Sequence, residues 1–186
     1  MPPSIIATGG VQGKPGTSKS MSEIRTGKQA ITIREASTED RDAIADLLNR
    51  GFEDERPYFD GTTPQQVDEE MKEGTYLVGL DAQNRLAGCV YISRHPFANG
   101  YRRVAELGVE SSLRSRGYGR QLMEAAEQLL RNDGCSGVKI GVLNFKQEQL
   151  FKFYRSLGYH ETGDQPATIP APKKPCHLII MSKTLA

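Results

Sequence analysis

The sequence predicts a mixed α/β domain, a single sheet with helices on both faces. Two observations carry this. Strand and helix signals alternate from residue 30 onward, and their order calls for two kinds of strand pairing. A strand–helix–strand run in the middle of the chain demands a parallel pair with a crossover helix, whereas an earlier hairpin demands antiparallel neighbours. The 186 residues, 37% hydrophobic and 25% charged, suffice for one domain with a proper core and are few for two.

Residues 1–29 stand apart. Pro2, Pro3, Gly9, Gly10, Gly13, Pro15 and Gly16 are interspersed with Lys14, Lys19, Arg25 and Lys28, against the single acid Glu23. Such a stretch buries too little apolar surface to offset its ordering entropy, so a flexible tail is expected, followed by a domain over residues 30–186. Met21 is a candidate start of the folded part. Within the domain, Ala30–Arg34 alternates as a half-buried strand does. Ser37 or Thr38 caps a helix with Ile44, Leu47 and Leu48 on one face, and Thr63-Pro64 opens a second helix. Residues 75–80 and 86–92 form a hairpin through Asp81–Asn84, and a third strand spans 104–109.

A helix follows from about Gly117 to Asp133, with Leu122, Ala126, Leu129 and Leu130 on one face and Gly134 placed to end it in the left-handed conformation. Val138, Ile140 and Val142 alternate as a strand. Leu150, Phe153, Tyr154 and Leu157 then fall at i, i+3, i+4 and i+7 of a helix that Gly158 ends. Strands near 159–162 and 176–183 flank a proline-rich loop and close the domain.

Composition excludes broad classes. The net charge of +1 gives no general attraction to nucleic acid or to acidic membranes, so an anion site has to be local. No apolar run approaches the roughly 20 residues of a bilayer span. The N-terminus lacks the apolar core of a signal peptide. Cys89, Cys135 and Cys176 are scattered, with no metal-ligand spacing and no disulfide pattern, which suits a reducing cytosol. A cytoplasmic protein without a metal is the expectation.

The most informative segment is Glu106-Leu107-Gly108-Val109-Glu110-Ser111-Ser112-Leu113-Arg114-Ser115-Arg116-Gly117-Tyr118-Gly119-Arg120. It sets an arginine-rich, glycine-containing turn between a strand and a long helix. The first amides of a helix lack internal partners and its dipole favours an anion. Gly117 and Gly119 admit a phosphate close to the backbone. Other phosphate motifs fail on spacing: a GxGxxG fingerprint would need glycine at Leu122, and no Walker-type GK[ST] occurs. The same segment also reads as a tightly packed helix start with solvated arginines. Further on, Asn144 follows one strand and precedes the helix carrying Phe153-Tyr154. Alone, Asn144 is a turn residue and Tyr154 a core aromatic.

Taken in order, these segments resemble the GNAT superfamily of acyl-CoA-dependent N-acetyltransferases. Arg114-Ser115-Arg116-Gly117-Tyr118-Gly119 matches the (Gln/Arg)-x-x-Gly-x-(Gly/Ala) signature, and Val109 matches the valine five residues before it. Asn144, Phe153, Tyr154, Gly158 and Tyr159 match the later Asn…Phe-Tyr-x-x-x-Gly-(Phe/Tyr) pattern. Ser111 departs from a common proline. The likeness runs over about residues 30–184. It implies a mostly antiparallel sheet of six to seven strands whose central strands, 104–109 and 138–143, run parallel and splay apart. The pantetheine arm of acetyl-CoA would lie in that gap along Leu107, Gly108 and Val109. Amides of Arg114, Ser115, Arg116, Gly117, Tyr118, Gly119 and Arg120 would hold the pyrophosphate, and Asn144 would bond pantetheine or the acceptor side.

The resemblance implies transfer of acetyl from acetyl-CoA to a primary amine by direct attack. Tyr154 would protonate the thiolate, and Glu106 is the candidate base, one position before an expected bulge; a salt-bridged strand carboxylate is its other reading. No cysteine sits in a Cys–His–Asp setting, which disfavours an acyl-cysteine. The acceptor should meet the first helical hairpin, where Phe52–Asp60 mixes acids and aromatics, and the late loop flanked by His160 and His177. A homodimer is compatible with this reading. A regulatory domain that binds acyl-CoA without turnover is the alternative, against which the retained Tyr154 speaks.

Overall fold

The computed structural model describes residues 31–146, 148–167 and 172–185. The expected tail, Met21 and the domain boundary at residue 30 lie outside them. The chain runs β1 (Thr32–Glu35), α1 (Arg41–Gly51), α2 (Pro64–Glu73), β2 (Gly74–Leu80), β3 (Leu86–Pro96), β4 (Tyr101–Val109), α3 (Tyr118–Asn132), β5 (Gly137–Leu143), α4 (Glu148–Ser156), β6 (His160–Pro166) and β7 (His177–Thr184). One seven-stranded sheet has the order β1-β2-β3-β4-β5-β7-β6. Every adjacent pair is antiparallel except β4 and β5. The expected fold class is therefore present, and the strands around the centre are longer than their apolar alternation indicated.

Local chemistry fixes the element ends. Thr63 Oγ1 accepts the N–H of Gln66 at 3.2 Å while Gln66 Oε1 accepts the N–H of Thr63 at 2.7 Å, a reciprocal cap with Pro64 in the first turn. Before α1, Ser37 enters a 3₁₀ turn over Thr38–Asp40. Gly134 (φ 74°) and Gly158 (φ 89°) follow α3 and α4 in the left-handed region, as expected.

Strand alternation sorts the core onto two faces. Tyr76 and Val78 of β2 and Cys89 and Tyr91 of β3 point to α1 and α2, joining Ile44, Leu47, Leu48 and Val67. Leu77, Val90 and Ile92 point the other way, to Leu122, Met123, Ala126 and Leu130 of α3 and Phe151 and Tyr154 of α4. Periodicity did not signal one member of this second core. Glu127 is buried among these apolar residues and accepts from Lys183 Nζ at 2.6 Å and from the Tyr159 hydroxyl at 3.1 Å. It ties α3 to β7 and to the end of α4.

Removing one partner of a buried ion pair leaves an uncompensated charge. Glu127→Gln should therefore lower unfolding free energy by about 2–4 kcal/mol in urea denaturation, well beyond an exposed carboxylate on the same helix such as Glu124.

Candidate active site

The site begins with a parity problem in β4. Val104, Leu107 and Val109 all pack with the α3–α4 core, whereas Ala105 packs on the α1–α2 side. A regular strand cannot put residues 104 and 107 on one face, since its side chains alternate. The register shows how the chain manages it. Ala105 pairs with Tyr91 and Gly108 with Cys89, so Glu106 and Leu107 together face the single residue Val90. That is a β-bulge, and Glu106 occupies it with φ 53°, unusual for a residue other than glycine. The sequence placed Glu106 one position before the distortion. It lies in it, because the left-handed residue must be the one that restores Leu107 to the inner face.

The bulge coincides with an opening in the sheet. β4 and β5 pair only at Tyr101–Gly137, Arg102–Val138 and Arg103–Lys139. Beyond Arg103 and Lys139 the two strands have no mutual register, while β5 stays paired with β7 along its length. The divergence from β5 starts after Arg103, ahead of the bulge at Glu106 and Leu107, and a bulge bends a strand and increases its twist, so it lies within the stretch where β4 leaves β5.

Toward α1 and α2, the bulge sends the Glu106 carboxylate into a half-buried cluster. The Tyr76 hydroxyl is hydrogen-bonded to both Glu106 Oε2 and Glu70 Oε2, the latter at 2.5 Å. Burial, and next the charge of Glu70, push the Glu106 carboxyl from its ordinary value up to about 7, against the opposing pull of Tyr76 and Arg103. Cys89 is buried beside it, and burial holds that thiol far from its thiolate form. An acyl-cysteine is not served by that environment. Neither Glu70 nor Tyr76 was singled out in the sequence, because only the packing of α2 on β2 brings them to Glu106.

At the C-terminal end of β4, residues 110–117 lead into α3. Ser115 (φ 63°) and Gly117 (φ 87°) are both left-handed, and alternation of this kind turns successive backbone N–H groups toward one concave spot. Gln121 N–H is the first bonded back along the helix, to the Gly117 carbonyl at 3.1 Å, so the amides of Gly119 and Arg120 precede the ladder. A Cβ at Gly119 would point to Phe153 (3.5 Å), Val109 (3.6 Å) and Leu107 (3.8 Å), toward the diverging β4. The arginines do not act alike. Arg114 reaches back to the Val109 and Gly51 carbonyls at 3.4 Å, and Arg50 pairs with Glu110 at 3.0 Å, so the loop is pinned to the end of α1. Arg120 bonds Ser156 Oγ at 2.9 Å, joining α3 to α4. Arg116 is exposed on the turn.

Tyr154 is buried on α4, edge-on to Phe153 and Tyr159 at centroid distances of 5.1 and 6.0 Å. Burial raises its hydroxyl well above the ordinary phenol value, which keeps it protonated. Asn144 extends the β5–β7 ladder: its N–H donates to the His177 carbonyl at 3.0 Å and its Oδ1 accepts the His177 N–H at 3.1 Å. That role in the strand end was open in the sequence. The loop after α1 lies across the end of β5, where Tyr58 stacks on Phe145 at 4.2 Å. Lys146 bonds Asp54 and Glu55 at 2.8 and 2.7 Å, and the Lys173 N–H reaches the Tyr58 carbonyl at 2.7 Å. The acids of Phe52–Asp60 thus serve partly as internal ion pairs, and the first hairpin and the late loop do meet. His177 pairs with Asp164 at 2.8 Å. Among the described residues no helix is long and apolar enough to cross a membrane.

The sequence matches the profile of the acetyltransferase (GNAT) family over residues 41–159. Among curated proteins none is a match. Among solved structures, Ard1 from Thermoplasma volcanium is similar, with 20% identity, a TM-score of 0.69, and coverage of 84% of this chain and 99% of that one. An aminoglycoside 6′-N-acetyltransferase complexed with coenzyme A has 20% identity, TM-score 0.68 and coverage of 83% and 97%. A phosphinothricin acetyltransferase from Sinorhizobium meliloti in complex with AcCoA has 16% identity, TM-score 0.68 and coverage of 84% and 89%.

The raised proton affinity of Glu106 has a cost in stability with a definite sign. The folded protein binds this proton more tightly than the unfolded chain, whose carboxyl keeps its ordinary value near 4.5. Its contribution is complete below about pH 4.5 and is lost as pH rises through about 7. Glu106→Gln should therefore raise the melting temperature at pH 8, by the equivalent of about 1–3 kcal/mol, and the gain should vanish at pH 4.

Proposed function

The chain belongs to the acetyltransferase (GNAT) family; it is an N-acetyltransferase using acetyl-CoA, and we propose how its residues divide the work. The observation that carries the assignment is the divergence of β4 from β5, with the N-terminus of α3 at its open end. The pantetheine arm lies in that gap and bonds the backbone of Leu107, Gly108 and Val109 as an added strand would. The turn from Arg114 through Ser115, Arg116, Gly117, Tyr118 and Gly119 to Arg120 receives the pyrophosphate on its amides, supported by the helix dipole. In this reading Arg120 contributes its backbone, since its guanidinium bonds Ser156. Asn144 borders the far side of the gap.

The acceptor enters from the α1–α2 side, where Glu106 faces it. An ammonium loses one proton to the Glu106 carboxylate, and the freed nitrogen lone pair attacks the thioester carbon. The carbonyl π pair moves to oxygen, where β4 amides stabilise the charge. As the oxyanion collapses, the C–S bond breaks with its electron pair on sulfur, and the Tyr154 hydroxyl protonates the thiolate. The second amine proton leaves through water, which also reprotonates Tyr154. The net change is one acetamide, one free thiol and one released proton. Glu106 is competent when ionised, so the rate rises as pH increases through about 7.

With Asp54 and Glu55 tied to Lys146 and Asp60 to Lys173, the preference for a cationic amine comes chiefly from Glu106, together with the aromatics between Phe52 and Phe59. Structurally similar proteins are named as acetyltransferases of aminoglycosides, of phosphinothricin and of an alanine of ribosomal protein S18. Assaying such compounds beside a polyamine identifies the class used here. The domain is proposed to span residues 30–186, with residues 1–29 dispensable.

Two variants test the assignment of roles. A Gly119→Glu Cβ would sit at ordinary contact distance from Phe153, Val109 and Leu107, beside the diverging β4, and its carboxylate would oppose the pyrophosphate proposed for this turn. We expect calorimetric coenzyme A affinity to fall by at least tenfold with melting temperature unchanged, and retained affinity would remove this turn from the site. Tyr154→Phe keeps the ring packing and deletes the acid. With an acceptor from the panel, turnover should fall by about 10²–10⁴-fold at near-normal acetyl-CoA affinity.

A further inference from the structure

Glu106 is not an isolated carboxylate on a strand. Its partner comes from another layer: Glu70 stands on α2, three residues after the buried Val67. One phenol, Tyr76 of β2, is bonded to both carboxyls. A hydroxyl has a single proton to donate, so it can satisfy only one carboxylate as donor. Its contact with the other is favourable only if that carboxyl carries a proton and donates to the phenol oxygen. The geometry thus describes two carboxyl groups and a phenol with one extra proton among them.

We propose that Glu70 is a positioning residue for the reaction: bridged to Glu106 through the Tyr76 hydroxyl, its carboxyl makes Glu106 a base strong enough to take the proton of the acceptor ammonium, while the Tyr76 bond holds the triad together and moderates the effect. The inference rests on the reading of Glu106 as the base and adds what tunes it. A lone strand carboxylate is a poor acceptor for an ammonium proton at neutral pH, and efficient general bases have proton affinities near the working pH. Two carboxylates that cannot easily both ionise raise the affinity of one of them. The burial of Glu106 and the charge of Glu70 act in this direction.

The remaining groups around the triad are accounted for. From α2, Glu73 acts on Tyr91 in the same direction as Glu70. From β3, Cys89 and Tyr91 are held neutral by burial. From β4, Arg103 opposes the rise at Glu106. Helix α1 meets this side of β4 through Leu47 and Leu48, at Gly108. Glu70 is therefore the nearest negative charge that the fold brings to Glu106 by a hydrogen-bonded path.

The triad makes opposite predictions for Glu70 and for the bridging Tyr76. Glu70→Gln keeps a hydrogen-bonding side chain and removes the charge, so Glu106 should lose its proton at least one pH unit lower than in the wild type. Tyr76→Phe removes a bond that favours ionised Glu106, so the midpoint should rise. Glu70→Asp should restore much of the wild-type value. The readout is the side-chain carboxyl ¹³C titration of the whole protein, with the Glu106 resonance identified by its absence from Glu106→Gln. A wild-type midpoint near 7 that falls in Glu70→Gln and rises in Tyr76→Phe is expected. A midpoint unmoved in Glu70→Gln would overturn the proposal even if that variant loses stability. Should Glu70→Gln fail to fold, a midpoint unmoved or lowered in Tyr76→Phe would overturn it instead. Loss of turnover in Glu106→Gln with an unmoved Glu70→Gln midpoint would leave the base in place and remove only Glu70. Full turnover in Glu106→Gln would remove the base itself.

Discussion

Strand β4 has to satisfy neighbours of opposite polarity, and the bulge at Glu106 is how it does so. On one side it pairs antiparallel with β3 to the end at Val109; on the other it pairs parallel with β5 for three residues and then leaves it. One extra residue bends the strand and shifts the parity of its side chains, within the stretch where the sheet opens. The inner-face positions of Leu107 and Val109 depend on it, as does the outward placement of Glu106. So does the position of the loop that follows, since α3 starts where the diverging strand delivers it.

The same distortion separates two kinds of electrostatics in a chain with almost no net charge. At the end of β4, left-handed Ser115 and Gly117 and the start of α3 offer backbone dipoles to an anion. On the opposite face, Glu70 and Glu106 gather negative charge around Tyr76. In the proposed reading, a donor rich in phosphate and a cationic acceptor would be drawn to different faces of one opening. Whole-chain charge conceals such a division, because backbone dipoles carry no net charge and the carboxylates of the cluster are balanced by cations elsewhere.

Much of the frame was legible in the sequence because its causes are local. Thr63-Pro64 names a helix start, Gly134 and Gly158 name helix ends, and the alternation in 75–80 and 86–92 names paired strands. The turn from Arg114 to Arg120 was legible as a phosphate-type element through its glycines and its place between strand and helix. What was not legible depends on partners distant in the chain. Glu127 sits on the apolar face of α3 only because Lys183 and Tyr159 meet it there. The Arg120 guanidinium bonds Ser156, a partner 36 residues away that no local signal marks, because the end of α4 lies within its reach. Asn144 turned out to continue a ladder whose second strand starts 33 residues later. The bulge itself was expected one residue late, because the parity of β4 is set by which core each neighbour joins.

The central claim is that the gap between β4 and β5 is the seat of acetyl-CoA, and hydrogen–deuterium exchange with and without coenzyme A tests it directly. Bound pantetheine would pair with β4 backbone beyond the bulge, and pyrophosphate would cover the amides at the start of α3. The account predicts protection at Leu107–Val109 and at Gly117–Arg120, with the edge strand β6 unchanged. Protection confined to other surfaces, with these two segments exchanging as in the free protein, would contradict it.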